Sequence, residues 1–137
     1  VVVTARESFV GRVREITAGA GVRVVYDAVG RDTFDGSLDC LAPLGLMVSV
    51  GNASGPVPPV APLVLSQKGS LFLTRPTLMA YTAKREDLLA TAADLFAAIR
   101  SGAVKVRIDA TYALREAAAA HVALEARRTT GSTVLLP

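Results

Sequence analysis

The sequence predicts an α/β fold built on a layered sheet of parallel strands. A continuous β-branched run, VRVVYDAV, occupies residues 22–29 and is typical of a strand buried on both faces of such a sheet. Apolar runs at residues 46–50 and 70–74 predict two further strands. Helical patterns separate these runs, and alternating helices and strands favour parallel strands joined by right-handed crossovers.

Local signals place the helices of this first part. Thr4 and Glu7 have the spacing of a capping box, and apolar residues at helical intervals then predict a helix that ends near Gly19. Asp32 is the predicted N-cap of a short helix over residues 33–42. The opening VVV has the composition of a strand interior, whereas residues 63–69 favour no element.

The pattern changes from about Tyr81 onward. A stripe of apolar residues predicts one long helix, with Gly102 in a left-handed conformation after its end. A short strand at residues 104–108 (VKVRI), an Ala-rich helix over residues 115–127 and a final TVLLP strand are predicted to follow. The stripe consists of Leu88, Leu89, Ala92, Leu95, Phe96 and Ile99.

Composition argues against several classes of function. The net charge is +3, but the 15 Lys and Arg residues are scattered and only 5% of residues are aromatic, which disfavours nucleic-acid binding. No apolar run approaches the roughly 20 residues that cross a bilayer, so no membrane span is expected. The start also lacks the pattern of a signal peptide.

The chain has a single cysteine and a single histidine. Cys40 has no partner for an internal disulfide, which favours a reducing, cytoplasmic location. With His121 as the sole histidine, the chain cannot supply a Cys/His zinc site by itself, and no metal is expected.

The loops after the three predicted strands form the candidate site. In an open parallel sheet the ligand crevice lies beyond the carboxyl ends of the strands. Gly51 and Gly55, in the segment GNASG, lack a Cβ and would let a flat, partly polar ligand approach the backbone closely. Ordinary turn chemistry explains the same glycines. The phosphate-binding pattern G-x-G-x-x-G is absent.

Three longer segments carry a resemblance to a known family. They are DAVGRDTFDGSLDCLAPLGLMVSVGNASGPVPP, LSQKGSLFLTRPTL and HVALEARRTTGSTVLLP. Together they closely resemble the zinc-independent NADPH:quinone oxidoreductases, the ζ-crystallin-like branch of the medium-chain dehydrogenase/reductase superfamily. The resemblance extends over the whole chain.

The resemblance implies the second part of a Rossmann-like, doubly wound parallel sheet, followed by a helix-strand-helix-strand segment of a GroES-like catalytic domain. Residues 1–80 would be the Rossmann part, which lacks the first βαβ unit, and residues 81–137 the return to the catalytic domain. The implied activity is hydride transfer from NADPH, or NADH, to a quinone or an activated alkene, without a metal. No residue of this chain would act as a catalytic acid or base, and this part alone is expected to be inactive.

The resemblance also implies which residues contact the cofactor. Ala28 and Val29 would border the adenosine side of the cofactor. Val50, Gly51 and Asn52 would line the nicotinamide-ribose side, although relatives commonly have Phe where Val50 stands. Thr74, Arg75 and Pro76 would bring backbone groups towards the carboxamide, and Arg127 would reach the pyrophosphate.

Other interpretations stay open at this point. Arg127 could complement a helix dipole, Arg75 could be a solvated edge residue, His121 is expected to be packed or hydrogen-bonded, and Cys40 is expected to be a small buried side chain. The chain could be a non-catalytic oligomerising module, because relatives often dimerise through the strand from Ser70 to Thr74. A methyltransferase-like or other nucleotide-binding domain would instead use Asp27 at a strand end.

Overall fold

The computed structural model describes residues 1–4 and 6–137, which form two compact units, Val1–Ala83 and Lys84–Pro137. The assignment of the two parts to a Rossmann and a catalytic domain stays a prediction. Within the described residues, no helix has both the length and the apolar character that crossing a bilayer requires.

The first unit contains a parallel three-stranded sheet with helices between its strands, which confirms the predicted α/β class. The strands lie in chain order, so β2 is central. The core between sheet and helices is small, and its buried members are Phe34, Leu38, Leu41, Met47 and Leu71. The elements are α1 (Phe9–Ile16), β1 (Val22–Asp27), α2 (Phe34–Asp39), β2 (Leu41–Ser49), α3 (Pro62–Gln67), β3 (Phe72–Thr74) and α4 (Leu78–Tyr81).

The central strand begins earlier than the sequence suggests, and α2 ends earlier. Val22 pairs with Leu41 and Val24 with Leu46, so the register shifts and residues 42–45 bulge out of the ladder. Pro43 and Gly45, which follow the predicted helix in the sequence, lie within this bulge. Leu41 is buried to 2% exposure by this arrangement. The predicted helix over residues 33–42 was therefore too long at its C-terminal end.

The first helix is capped by a different residue from the one predicted. The Ser8 hydroxyl accepts the backbone N–H of Gly11 at 3.2 Å, and α1 begins at Phe9. Thr4 lies outside the helix and is not its cap. The opening VVV, expected to be part of a strand, has no strand conformation, because none of the described segments pairs with it.

Replacement of Ser8 by alanine is expected to lower the free energy of unfolding by about 1 kcal/mol, the usual effect of losing an N-cap hydroxyl. Urea denaturation of the protein expressed from its complete gene measures this change. Thr4→Ala is the matched control and should leave the midpoint unchanged. A larger loss of stability in Thr4→Ala than in Ser8→Ala would indicate that Thr4 caps the helix and would contradict the observed cap.

The second unit contains a pair of parallel strands and two longer helices. Its elements are α5 (Arg85–Arg100), β4 (Ile108–Ala113), a 3-10 turn (Leu114–Glu116), α6 (Ala117–Glu125) and β5 (Ser132–Leu136). Gly102 has a φ of 76° after α5, as predicted. Four members of the predicted apolar stripe on α5 are more than 40% exposed: Leu88, Leu89, Leu95 and Phe96.

The strand predicted at residues 104–108 is displaced toward the C-terminus. Its ladder partner β5 begins at Ser132, which pairs with Ile108. Residues before Ile108 therefore have no strand opposite them, and β4 extends to Ala113 instead. The alternating pattern of VKVRI is real, but the position of the partner strand decides where pairing starts.

Candidate functional site

The ends of the three parallel strands lie at one edge of the first sheet. Asp27 pairs with Ser49 at the ends of β1 and β2, and Val48 pairs with Thr74 at the end of β3. The predicted cofactor segments 28–29, 50–52 and 74–76 are therefore at, or directly after, these neighbouring ends. The structure thus brings eight of the nine predicted residues to one edge of the sheet. Their role as cofactor contacts stays a prediction.

The loops after β1 and β2 pack backbone against backbone. A Cβ placed on Gly51 would lie 2.3 Å from the carbonyl oxygen of Ala28, which no side chain could tolerate. The N–H of Ala53 donates to the Ala28 carbonyl at 3.3 Å, and the N–H of Ser54 donates to the Val29 carbonyl at 2.8 Å. Position 51 therefore requires glycine because the two loops approach each other so closely there.

Asp27 organises the end of β1. Its Oδ1 accepts the N–H groups of Val29 at 2.8 Å and Gly30 at 2.9 Å, and its Oδ2 accepts the hydroxyls of Thr33 and Ser37, each at 2.7 Å. The side chain is buried, with 5% of the residue exposed. Burial by itself would raise the pKa of Asp27, but these hydrogen bonds favour the carboxylate and hold the pKa below its usual value.

This network replaces the predicted cap of α2. Thr33 occupies the N-cap position, and its hydroxyl donates to Asp27 and, at 3.4 Å, to the carbonyl of Gly30. Asp32 is exposed, and its Oδ1 accepts a hydrogen bond from Arg31 Nε at 3.0 Å. The prediction that Asp32 caps the helix was therefore wrong. A ribose hydroxyl would have to compete with four internal donors for the Asp27 carboxylate, which disfavours the methyltransferase-like alternative.

Ser54 links the same two loops through its side chain. Its hydroxyl donates to the carbonyl of Val29 at 2.8 Å and accepts the N–H of Asp32 at 3.0 Å. No sequence pattern identified Thr33 and Ser37 as partners of Asp27, or Ser54 as a link between the two loops. The signal that could have found Thr33 and Ser37 is hydroxyl residues six and ten positions after an Asp that ends an apolar strand.

Arg75 connects the ends of β2 and β3. Its Nη1 donates to Ser49 Oγ at 3.0 Å and to the Gly51 carbonyl at 3.1 Å. Arg75 is exposed, as one interpretation expected, but these bonds fix its side chain to the neighbouring strand end. A cleft of about 300 Å³ lies beside it, lined by Phe34, Ser49, Asn52, Pro56, Val57, Pro58, Val60, Leu73 and Arg75.

Only part of the backbone at this edge remains available to a ligand. Many peptide groups of the loops bond to one another. The N–H groups of Ala28 and Asn52 have no acceptor among the residues that the structure describes. Val29 and Val50 are 40% and 44% exposed and supply apolar surface beside them. Such a mixture suits a ligand with flat rings and scattered polar atoms.

Arg127, the ninth predicted residue, belongs to the second unit. It follows α6, has a φ of 54°, and its N–H donates to the Leu124 carbonyl. This place after a helix C-terminus agrees with the dipole interpretation. Its predicted role at the pyrophosphate stays a prediction.

The remaining two candidates differ in outcome. Cys40 is buried, as predicted, and burial raises the pKa of its thiol. His121 is exposed, and its side chain has no hydrogen bond within the described part of the chain, so the expectation of a packed or bonded histidine was wrong. The reason is helical geometry: α6 buries Ala120, and the next residue points about 100° away.

Comparison with known proteins places the chain in a family. Residues 1–135 of the 137 match the family described as zinc-binding dehydrogenase. The chain belongs to this family. Its resemblance to the quinone oxidoreductases is also confirmed, because several curated relatives with that name are more than half identical to it.

Three comparisons define the similarity. A quinone oxidoreductase of Pseudomonas aeruginosa is 56% identical over 96% of this chain and 40% of its own length. A 2-haloacrylate reductase of Burkholderia is 46% identical over 96% of this chain and 40% of its own length. The crystal structure of Escherichia coli quinone oxidoreductase complexed with NADPH is 49% identical, with a TM-score of 0.89, over 99% of this chain and 42% of that one. The chain thus spans about 40% of the length of the curated relatives it matches.

The donor set of this chain does not fit the metal that the family's description mentions. Among the described residues, no group of three or more His, Cys, Asp or Glu side chains is placed to hold a metal ion. Cys40 is buried, and His121 is the single histidine of the sequence. No step of the proposed chemistry is therefore assigned to a metal held by these residues.

Proposed function

We propose that this chain is the C-terminal part of an NADPH-dependent quinone oxidoreductase. The observation that carries the proposal is the common edge of the three parallel strands, where residues 28–29, 50–52 and 74–76 meet. The Escherichia coli relative was solved with NADPH, which supports that cofactor for the family member to which this chain corresponds.

The residues of this edge would bind and orient the cofactor. Bound NADPH supplies a hydride from C4 of its nicotinamide ring. The unbonded N–H groups of Ala28 and Asn52 could donate to polar atoms of the dinucleotide, and the exposed Val29 and Val50 would supply apolar surface for its rings. The resemblance assigns the pyrophosphate to Arg127 of the second unit, and an arginine fork suits two phosphate oxygens. No side chain here is assigned a proton transfer.

The proposed acceptor is a quinone or an activated alkene. Both present an electron-poor carbon or oxygen to a hydride, and the anion that forms would take its proton from solvent or from residues outside this chain. The name of the Burkholderia relative, 2-haloacrylate reductase, supports the alkene because an acrylate is a conjugated alkene. The names of the other relatives support the quinone.

Quinone-dependent oxidation of NADPH tests this function directly. The protein expressed from its complete gene should bind NADPH and consume it when a quinone is added. The 137 residues alone should bind NADPH weakly and turn over no quinone, because the resemblance assigns the first βαβ unit to residues outside them. Failure of the complete protein to bind NADPH would contradict the function, and turnover by the 137 residues alone would contradict the assignment of the missing unit.

We further propose a homodimer formed through β3, in a cytoplasmic protein. β3 is an edge strand of the sheet, and Phe72 and Leu73 on it are 61% and 37% exposed. An exposed apolar edge strand favours pairing with a second copy. The location is supported by the single Cys40, whose thiol is free.

Phe72→Lys is expected to weaken this dimer, because a lysine on an edge strand opposes edge-to-edge pairing. Sedimentation equilibrium of the protein from its complete gene measures the change, and Leu63→Lys on the exposed face of α3 is the control. Wild type should sediment as a dimer and the Phe72 variant should shift toward monomer. A monomeric wild type, or a variant that dimerises as well as the control, would rule out this interface.

A further inference from the structure

Arg75 determines the orientation of one peptide group in the candidate site. The carbonyl of Gly51 and the N–H of Asn52 belong to the same planar, trans peptide unit, so the direction of one sets the direction of the other. Arg75 holds that carbonyl through its Nη1 at 3.1 Å. The same Nη1 bonds Ser49 Oγ at 3.0 Å, which anchors the guanidinium to β2.

This restraint acts where the backbone is otherwise permissive. Glycine itself allows a wide range of backbone angles, and among the described residues no backbone N–H donates to the Gly51 carbonyl. A charged donor makes a stronger hydrogen bond than a neutral one. Arg75 forms no ion pair with a carboxylate in the described part of the chain, so no acid competes for it.

The peptide group so oriented has an unused donor. The N–H of Asn52 has no acceptor among the described residues, and Asn52 lines the same cleft as Arg75 and Ser49. We propose that Arg75 is a positioning residue. It fixes the Gly51–Asn52 peptide so that the Asn52 N–H can donate to an oxygen of the nicotinamide-ribose half of the cofactor. The identity of that ligand rests on the proposed function, whereas the restraint on the peptide does not.

Two measurements on the protein from its complete gene test this role. The first is amide hydrogen exchange of the segment 50–55 without cofactor, in wild type, Arg75→Ala and Arg75→Lys. The alanine variant should exchange faster in this segment, and the lysine variant should be intermediate because an ammonium can still donate to one carbonyl. The second is the NADPH dissociation constant, which should rise about tenfold in Arg75→Ala.

Arg12→Ala is the matched control, since Arg12 is an exposed arginine of α1 that bonds Glu15 on its own helix. It should change neither measurement. Unchanged exchange at residues 50–55 in Arg75→Ala would overturn the role of Arg75, and faster exchange with unchanged NADPH affinity would overturn its link to the ligand. If wild type itself fails to bind NADPH, the proposed function fails, and the exchange comparison still decides whether Arg75 holds this peptide.

Discussion

Replacement of Asp27 by alanine is expected to lower the free energy of unfolding by about 3–5 kcal/mol, among the largest effects of any single substitution in this chain. The change removes an acceptor for two backbone N–H groups and two hydroxyls, at a residue that is only 5% exposed. The N–H groups of Val29 and Gly30 would lose their acceptor, and Gly30 is buried. Urea denaturation at neutral pH measures the loss.

Asp32→Ala is the matched control and should stay within about 0.5 kcal/mol of wild type, because the Asp32 carboxylate is exposed and its one hydrogen bond among the described residues is to the neighbouring Arg31. This control also tests whether Asp32 caps α2. If Asp32 were the helix cap, its loss would cost about 1 kcal/mol. Equal effects of Asp27→Ala and Asp32→Ala would contradict the central position of Asp27.

Asp27 should also make stability depend on pH. Its pKa is lowered in the folded state, so its contribution is fully present above the unfolded value of about 3.9 and is lost as pH falls through the folded value. Asp27→Asn keeps one oxygen for the two N–H groups, and its amide can donate to the Thr33 and Ser37 hydroxyls. This variant should lose less stability than the alanine variant at neutral pH and should show a shallower decline in acid. The same acid profile in wild type and Asp27→Asn would contradict this.

Gly51→Ala is expected to lower the free energy of unfolding by about 3 kcal/mol and to weaken NADPH binding with it. The added Cβ would lie 2.3 Å from the Ala28 carbonyl oxygen, and backbone cannot rotate away as a side chain can. The loops after β1 and β2 must therefore separate, and the hydrogen bonds from Ala53 and Ser54 across them lengthen. Urea denaturation and NADPH titration of the protein from its complete gene measure the two effects.

Gly11→Ala provides the control for a glycine without a packing role. Its added Cβ would meet nothing closer than 3.7 Å, and the residue lies inside α1. Alanine there should raise stability by about 0.5–1 kcal/mol, since glycine is unfavourable within a helix. A Gly51→Ala protein as stable as wild type would show that the two loops are not in close contact.

The sequence predicts those features that depend on local pattern. Apolar runs between helical patterns were sufficient for the α/β class and the parallel pairing of β1 with β2. They were also sufficient to bring the three loops to one edge, because parallel strands end at the same side of a sheet. The left-handed glycine after α5 follows from the same kind of signal.

Features that depend on a distant partner were missed. The bulge at residues 42–45 exists because Leu41 pairs with Val22. Pro43 and Gly45, which lie in this bulge, are residue types that also occur at helix ends, so the local sequence does not distinguish the two structures. The displaced β4 begins only where β5 lies opposite. In the site, Arg75 bonds Ser49 and Ser54 bonds Val29 across 26 and 25 positions of the chain. No local pattern encodes these contacts.

Amide hydrogen exchange of the complete protein, with and without NADPH, tests most directly whether the three strand ends form one cofactor-binding edge. NADPH should slow exchange together in peptides that cover residues 28–30, 50–55 and 74–77, and it should leave α1 (Phe9–Ile16) unchanged. Saturating NADPH that protects other segments and leaves these three at their ligand-free rates would contradict the account.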